Sequence, residues 1–484
     1  MIYLEEIILK KLQSNPVAQQ MLQFGNNIGN LFPNEEALCM ASAFMQDKQT
    51  RIVVKKNRYE AQQLYQRLKP LVEDTLLFVM EESLRVQAIA SSPEDKQEQL
   101  YVLTQLVKED KPRIIICNTA AFLRYLPDKE LFKSLCFKFE VDQEITMAEL
   151  KQKLNRAGYT KVNYVDRPCT YASRGGIVDV YCLEYEHPIR IEFFDTVIES
   201  IRLFHEETQR TIQTIDSVLI NPATDLLFTD DQIEYLQKEI DFELEKQQAK
   251  LIQDDYEFLL DYIEKDKISI ENYDIDPHLY IYFSYLNANK LTDYVNGHII
   301  FSSQEEVENG YKKLNEETIS FIQEMVESHQ YLPKYSMFHD IFTFEKEHKI
   351  QMFHDFLDFK HPIFSKIETL EKSDQPLIQI LENLKGKNIY ISLDEEHTKK
   401  VQEALKAYSI HRNITFIEDD FYEGFTYEDI SVYTQQELFH RPSQIKRYQK
   451  TFKQGQILQN ILELEPNDYV VHEQYGIGQY VGIT

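Results

Sequence analysis

The sequence predicts an α/β protein of several domains, and three observations carry that expectation. From residue 1 to about 140, helical stretches alternate with short runs of branched apolar residues, RIVVK at 51–55, LLFVM at 76–80 and RIIIC at 113–117. This is the pattern of a parallel sheet covered on both faces by helices. Within 174–204, Val178, Val180 and Cys182 and then Ile189, Ile191 and Phe193 recur at every second position, as in strands with one covered and one open face. NIYIS at 388–392, a helical stretch to about 408 and ITFI at 414–417 make a further small αβ unit within 335–440. With 484 residues and 43% apolar content, the chain has room for about three or four domains with real cores.

Charge narrows the function classes. Lys and Arg total 52 against 80 Asp and Glu, a net charge of −28, which argues against a general binder of DNA, RNA or anionic membrane. Residues 230–276 alone carry 16 carboxylates and 5 lysines. They read as solvated helix faces with Ile233, Leu236, Ile240 and Leu244 on the buried side. The five cysteines, Cys39, Cys117, Cys136, Cys169 and Cys182, have no CxxC spacing, so they read as reduced, mostly buried thiols rather than a disulfide framework or zinc site. No uninterrupted apolar run reaches about 18 residues, and MIYLEEIILKKLQSN at the start has acids inside its apolar pattern. A cytoplasmic protein with no membrane partner is expected.

A parallel sheet raises the question of a phosphate-binding loop, which needs GxxxxGK[ST] after a strand. The nearest stretch, GNNIGNL at 25–31, has its glycines one residue too close and supplies neither the lysine for the outer phosphates nor the hydroxyl for magnesium. No ATP binding is expected there, and no cofactor or metal in this chain. Where a motor would place paired acids after a strand, the chain has FSSQ at 301–304. Farther on, Asp394-Glu395-Glu396-His397 imitates the DExH box of helicases. However, Asp394 suits a helix N-cap, Glu395 and Glu396 suit the positive end of the helix that follows, and no phosphate loop precedes them.

In chain order, TMAE at 146–149 announces a helix by its capping box, Leu150 and Leu154 continue it, and Gly158 stops it. After Asn221-Pro222 come the acidic helices and strands expected near 279–285 and 298–302. Residues 441–453 carry five positive charges and no acid and read as a solvated connector within a basic linker at 441–464, in preference to a tract that touches DNA or an acidic neighbour. The last twenty residues read as one hairpin with Gly476 and Gly478 around its turn, marginal unless it packs on a neighbour.

The most informative stretch is RGGIVDVYCLEYEHPIRIEFFDTVIESIRLF at 174–204. In Ile189–Phe194 the alternation sets Ile189, Ile191 and Phe193 toward a core and Arg190, Glu192 and Phe194 on the other side. Val178, Val180 and Cys182 form a second apolar face after Gly175-Gly176, whose missing side chains permit a tight bend that aims Arg174. Two readings stand. Either Arg190 and Glu192 are solvated edge charges and Phe194 tucks under the next strand, or the three outward residues Arg174, Arg190 and Phe194 form a protein-binding patch of the Arg-plus-aromatic kind that anchors interfaces.

These residues carry a family resemblance. TYASRGGIVDVY at 170–181 and PIRIEFFDTVIESIRLFHEETQRT at 188–211 are similar to the UvrA-binding domain shared by UvrB and the transcription-repair coupling factors. EPNDYVVHEQYGIGQYVGIT at 465–484 resembles the start of the CarD-like RNA-polymerase-interacting module that the coupling factors have and UvrB lacks. The resemblance implies a degenerate nucleotide-motor-like parallel-sheet domain built from 1–136 and 221–330, an inserted mixed α/β UvrA-binding domain at 137–220, the small α/β domain at 335–440 and a truncated module from 465. It also implies UvrA as partner through Arg174, Arg190 and Phe194, RNA polymerase through the C-terminal module, and ATP, magnesium and most DNA contact in a motor beyond residue 484. The implied role is a non-catalytic adaptor. A UvrB-type damage-loading ATPase would need an intact phosphate loop near 25–32 and no CarD-like tail, and a standalone polymerase-binding factor would need a complete C-terminal module.

Overall fold

The computed structural model describes residues 4–23, 27–29, 31–83, 93–273, 276–354, 366–371, 375–410, 412–417, 421–439, 469–472 and 476–479. The chain divides into two compact units, Met1–Ile445 and Lys446–Thr484. It is a mixed α/β protein with parallel and mixed sheets.

The first sheet has six strands in the order Asn27–Gly29, Ile350–His354, His298–Phe301, Arg51–Lys55, Ile114–Asn118 and Thr75–Phe78, every pair parallel. Because successive side chains leave a strand on opposite faces, its apolar runs feed two cores. Ile52, Val54, Ile115, Cys117, Ile299 and Phe301 pack with residues of the helices Pro93–Lys108, Thr119–Leu123, Gln304–Glu327 and Ile341–Glu347. Val53, Ile114, Ile116 and Ile300 pack against Pro33–Asp47 and Arg58–Leu68 on the other side. The strand Ile350–His354 lies beyond residue 335, where the small unit was expected to begin, and it belongs to this first sheet instead.

The acidic stretch forms two helices, Asp230–Gln248 and Gln253–Glu271, tied by Lys267 to Asp241 at 2.6 Å. Leu236, Ile240 and Leu244 are buried and Ile233 is half-buried, while most of the acids face solvent. The strand expected at 279–285 is instead a 3-10 helix, Pro277–Tyr285. Pro277 at its first turn fixes a helical φ, and the apolar run Leu279–Phe283 is buried on all sides, a case in which periodicity cannot separate strand from helix. Tyr282 donates to the buried Asp266 carboxylate at 2.7 Å, fastening this turn to the second acidic helix.

The next six-stranded sheet runs Thr211–Ile215, Val197–Phe204, Ile189–Phe194, Ile177–Tyr181, Thr170–Arg174 and Thr160–Lys161. It is antiparallel except for the last pair. Helix Met147–Arg156 covers one face through Leu150 and Leu154. Thr146 caps it by accepting from the Glu149 N–H at 3.2 Å, and Gly158, at φ +80°, ends it in the left-handed region that a Cβ disfavours. The chain enters and leaves this sheet side by side, because Phe137–Glu140 pairs antiparallel with Ser217–Ile220.

The small sheet takes the order Ile367–Thr369, Phe425–Tyr427, Ile430–Tyr433, Asn388–Ser392 and Ile414–Ile417. Phe425, Tyr427, Ile430 and Val432 join the core beneath Pro33–Asp47, and Arg67 holds Glu423 by two bonds of 2.8 and 3.0 Å. In the C-terminal unit, Tyr469–His472 and Gly476–Gln479 form the expected antiparallel hairpin. Gly476 and Gly478 are paired within its second strand rather than flanking the turn. The basic linker, Tyr480, Val481 and residues 24–26 and 30 of the degenerate loop lie outside the described residues. Among the described residues, no helix is long and apolar enough to cross a membrane.

Candidate protein-docking site

Two hairpins build the open face of the antiparallel sheet. The first joins Thr170–Arg174 to Ile177–Tyr181, with Arg174 opposite Ile177 and Gly175 at φ +58°, where a side chain would be strained. Its tip is held against the next strand because Phe193 donates its N–H to the Gly176 carbonyl at 2.8 Å. A Cβ on Gly176 would come within 3.0 Å of the Phe193 carbonyl oxygen. The second hairpin joins Ile189–Phe194 to Val197–Phe204, with Phe194 opposite Val197 and Asp195 at φ +56° in the turn.

Register brings the three predicted residues onto one face. Arg174, Ile177, Glu192 and Ser200 are successive cross-strand partners in one row, and Ala172, Asp179, Arg190, Arg202 and Thr214 form the next. Phe194 lies two positions beyond Glu192 on the same side of its strand. On the opposite face Val178, Val180, Ile189, Ile191, Ile198 and Ile201 are fully buried. Phe193 is half-buried against the same core.

The three residues differ in how they are held. Phe194 is 74% exposed, so its ring meets water rather than tucking under the following strand. Arg174 is exposed, and its guanidinium has no hydrogen-bond or ion-pair partner among the described residues. Arg190 is only 17% exposed. Its Nε and Nη2 grip the two Asp179 oxygens at 2.7 Å each, Nη2 also donates to Gln209 at 2.7 Å, and the guanidinium lies 4.3 Å above the buried Phe204 ring. The bonds from Asp179 outweigh the cost of burial and hold the Arg190 proton more tightly than usual. Glu192 accepts from Ser200 Oγ at 2.7 Å and pairs with Arg202. The face therefore has compensated charges at its centre, with a free cation and a bare aromatic ring at its margin.

Sequence reasoning missed Asp179, Gln209 and Phe204, which fix Arg190 in place. The alternation of IVDVY puts Asp179 on the open face, so a hairpin register would have set it across from Arg190, where opposite charges attract. Gln209 sits in a loop at φ +60° and carries no comparable signal.

Elsewhere, the motor-like features are filled from within. At the N-terminus of helix Pro33–Asp47, the Glu35 carboxylate accepts from the Phe32 N–H at 3.0 Å. Glu36, 2% exposed, binds Lys55 and accepts from Ser302 Oγ at 2.7 Å. A helix N-terminus favours anions, and here the anions belong to the chain itself. Asp394 accepts from the His397 N–H at 2.8 Å as an N-cap, and Glu395 and Glu396 pair with Lys399 and Lys400 one turn on.

Residues 137–226, which contain this face, match the family described as the UvrB interaction domain, and residues 464–484 match the CarD-like/TRCF RID domain. The chain is 28% identical over 468 residues to the transcription-repair-coupling factor of Bacillus subtilis (strain 168), a match covering 88% of this chain and 39% of that protein. It is 26% identical over 497 residues to that of Staphylococcus haemolyticus (strain JCSC1435), covering 94% of this chain and 42% of the other. The chain is thus similar, over most of its length, to the N-terminal part of transcription-repair-coupling factors and spans about two-fifths of the length of these relatives.

Proposed function

We propose that this chain is the N-terminal adaptor segment of a transcription-repair coupling factor, binding UvrA through the open face of its inserted sheet and so recruiting excision repair to a stalled RNA polymerase. One observation carries the reading: Arg174, Arg190 and Phe194 share one face of a sheet inside the segment that matches the UvrB interaction domain. On that face the exposed Phe194 ring and the cation of Arg174 offer the anchor types that hold most interface energy. Arg190 presents its guanidinium in a fixed pose, so little side-chain entropy is lost when a partner meets it.

A non-catalytic role for this segment is supported by what occupies its would-be phosphate cradle. A nucleotide at the N-terminus of helix Pro33–Asp47 would meet Glu35 and the Glu36–Lys55 pair, carboxylates where phosphate oxygens need donors. The segment works in the cytoplasm without a cofactor. ATP, magnesium and most DNA contact belong to a motor outside this chain, and RNA polymerase is met through the CarD-like module that residues 464–484 begin.

The test is a calorimetric titration of this chain with UvrA, comparing wild type with Arg190→Ala and Phe194→Ala. Loss of either anchor is expected to weaken binding roughly 30-fold. Equal affinity in all three proteins rejects the site.

A further inference from the structure

We infer that the same partner also adds a strand to the free edge of the inserted sheet at Thr211–Ile215, an inference that rests on the docking face proposed above. Thr211–Ile215 is the outermost strand of its sheet, is exposed along nearly its whole length and contains no Lys, Asp, Glu or Pro. These are the devices by which sheet edges normally repel another strand.

The backbone directions follow from the register. Phe204 donates its N–H to the Pro188 carbonyl at 3.0 Å, so Phe204 and Arg202 turn their backbone bonds toward Ile189–Phe194. Leu203 and Ile201 then turn theirs toward Thr211–Ile215, where they stand opposite Gln213 and Ile215. Thr214, between these two, therefore directs its N–H and carbonyl away from the sheet, along its open edge.

The occupant follows from the shortness of this edge. The register slips between Leu203 and Phe204, leaving Ile212 as an extra residue, so the straight edge covers only Gln213, Thr214 and Ile215. A pairing of that length cannot hold a partner alone and needs support from a neighbouring surface. The support is adjacent: Thr214 ends the row that runs through Arg202, Arg190 and Asp179 into the docking face. A second copy of this chain is the poorer occupant, because two bodies of net charge −28 repel.

The experiment titrates UvrA against wild type, Thr214→Val, Thr214→Pro and Phe194→Ala, and follows hydrogen exchange of the wild-type amides with and without UvrA. Thr214→Val keeps the N–H and is expected to bind as wild type. Thr214→Pro removes it and is expected to bind roughly 10-fold more weakly, the worth of one or two lost backbone bonds. In the complex the Thr214 amide exchanges more slowly, a readout that stands even if the proline variant fails to fold. Wild-type affinity for Thr214→Pro with an unprotected Thr214 amide, while Phe194→Ala still weakens binding, overturns strand addition and leaves the docking face intact. Unchanged affinity in Phe194→Ala as well, or no binding by wild type, overturns the face and this inference together. Self-association of the chain that protects Thr214 without UvrA also overturns it.

Discussion

The first sheet and the inserted sheet use similar residues to opposite ends. Glu36, Lys55 and Ser302 in one, and Asp179, Arg190 and Gln209 in the other, are each carboxylate–cation clusters with a polar third member. The first lies under helices on a sheet covered on both faces and is sealed from water. The second lies on a sheet with one helix-covered face, so the same kind of bonding holds a guanidinium on the open face that also carries Phe194. Layering, more than residue type, decides whether a paired charge is sealed in the core or stands on an open face.

The largest way to test that contrast is Glu36→Ala, which strands Lys55 in the interior. Removing one member of a buried pair typically costs about 3–5 kcal/mol, readable as a lower midpoint in urea unfolding. Lys55→Met added to Glu36→Ala is expected to recover much of the loss, and neither change should alter UvrA affinity. A loss well under 1 kcal/mol would show that water reaches the pair and that the first sheet is as open as the second.

Acid probes the first sheet independently. His298 begins a buried strand, with Nε2 2.6 Å from Gln49 Oε1, and burial, followed by the Arg51 charge, pushes its pKa from 6.5 down to about 4. Between those values the unfolded chain holds a proton on this histidine that the folded chain refuses, so stability falls as pH drops through the window. The full penalty is at most about 3 kcal/mol. His298→Gln should flatten that part of the stability–pH curve, and an unaltered curve would mean that other groups cause the acid loss.

For the inserted sheet, Phe194→Ala should separate binding from stability. The roughly 30-fold weaker UvrA binding corresponds to about 2 kcal/mol. Urea stability should stay within about 0.5 kcal/mol of wild type, since an exposed ring packs on little. Equal losses of stability and binding would indicate that the ring supports the hairpin rather than the interface.

How much of this was legible in the sequence follows the same division. The parallel strands, the capped helix after Thr146 and the outward set of Arg174, Arg190 and Phe194 are written in local periodicity, which needs no knowledge of neighbours. The 3-10 helix Pro277–Tyr285 escaped because an apolar run buried on all sides has no period to read. The place of Ile350–His354 in the first sheet was hidden because parallel pairing joins residues far apart in the chain. At the site, the bracing of Arg190 by Asp179, Gln209 and Phe204 depends on register across three strands and a loop, and only Asp179 left a trace in the alternation.

The smallest predicted effect concerns the helicase-like sequence at Asp394. Its carboxylate accepts the His397 N–H at 2.8 Å and an amide hydrogen from Gln435 at 2.6 Å, and the first of these is the main reason its pKa lies below the usual range. An N-cap needs only a side-chain oxygen at that point, and asparagine supplies one nearly as well as aspartate. Asp394→Asn should therefore cost only a few tenths of a kcal/mol, whereas Asp394→Ala, with no acceptor, should cost about 1 kcal/mol. A magnesium-handling acid would give the reverse ranking of interest, since Asp394→Asn would remove the charge that the metal requires. Urea unfolding and ATP hydrolysis measured on both variants separate the two roles. Any hydrolysis by the chain that disappears in Asp394→Asn would make this residue catalytic and end the assignment of a cap.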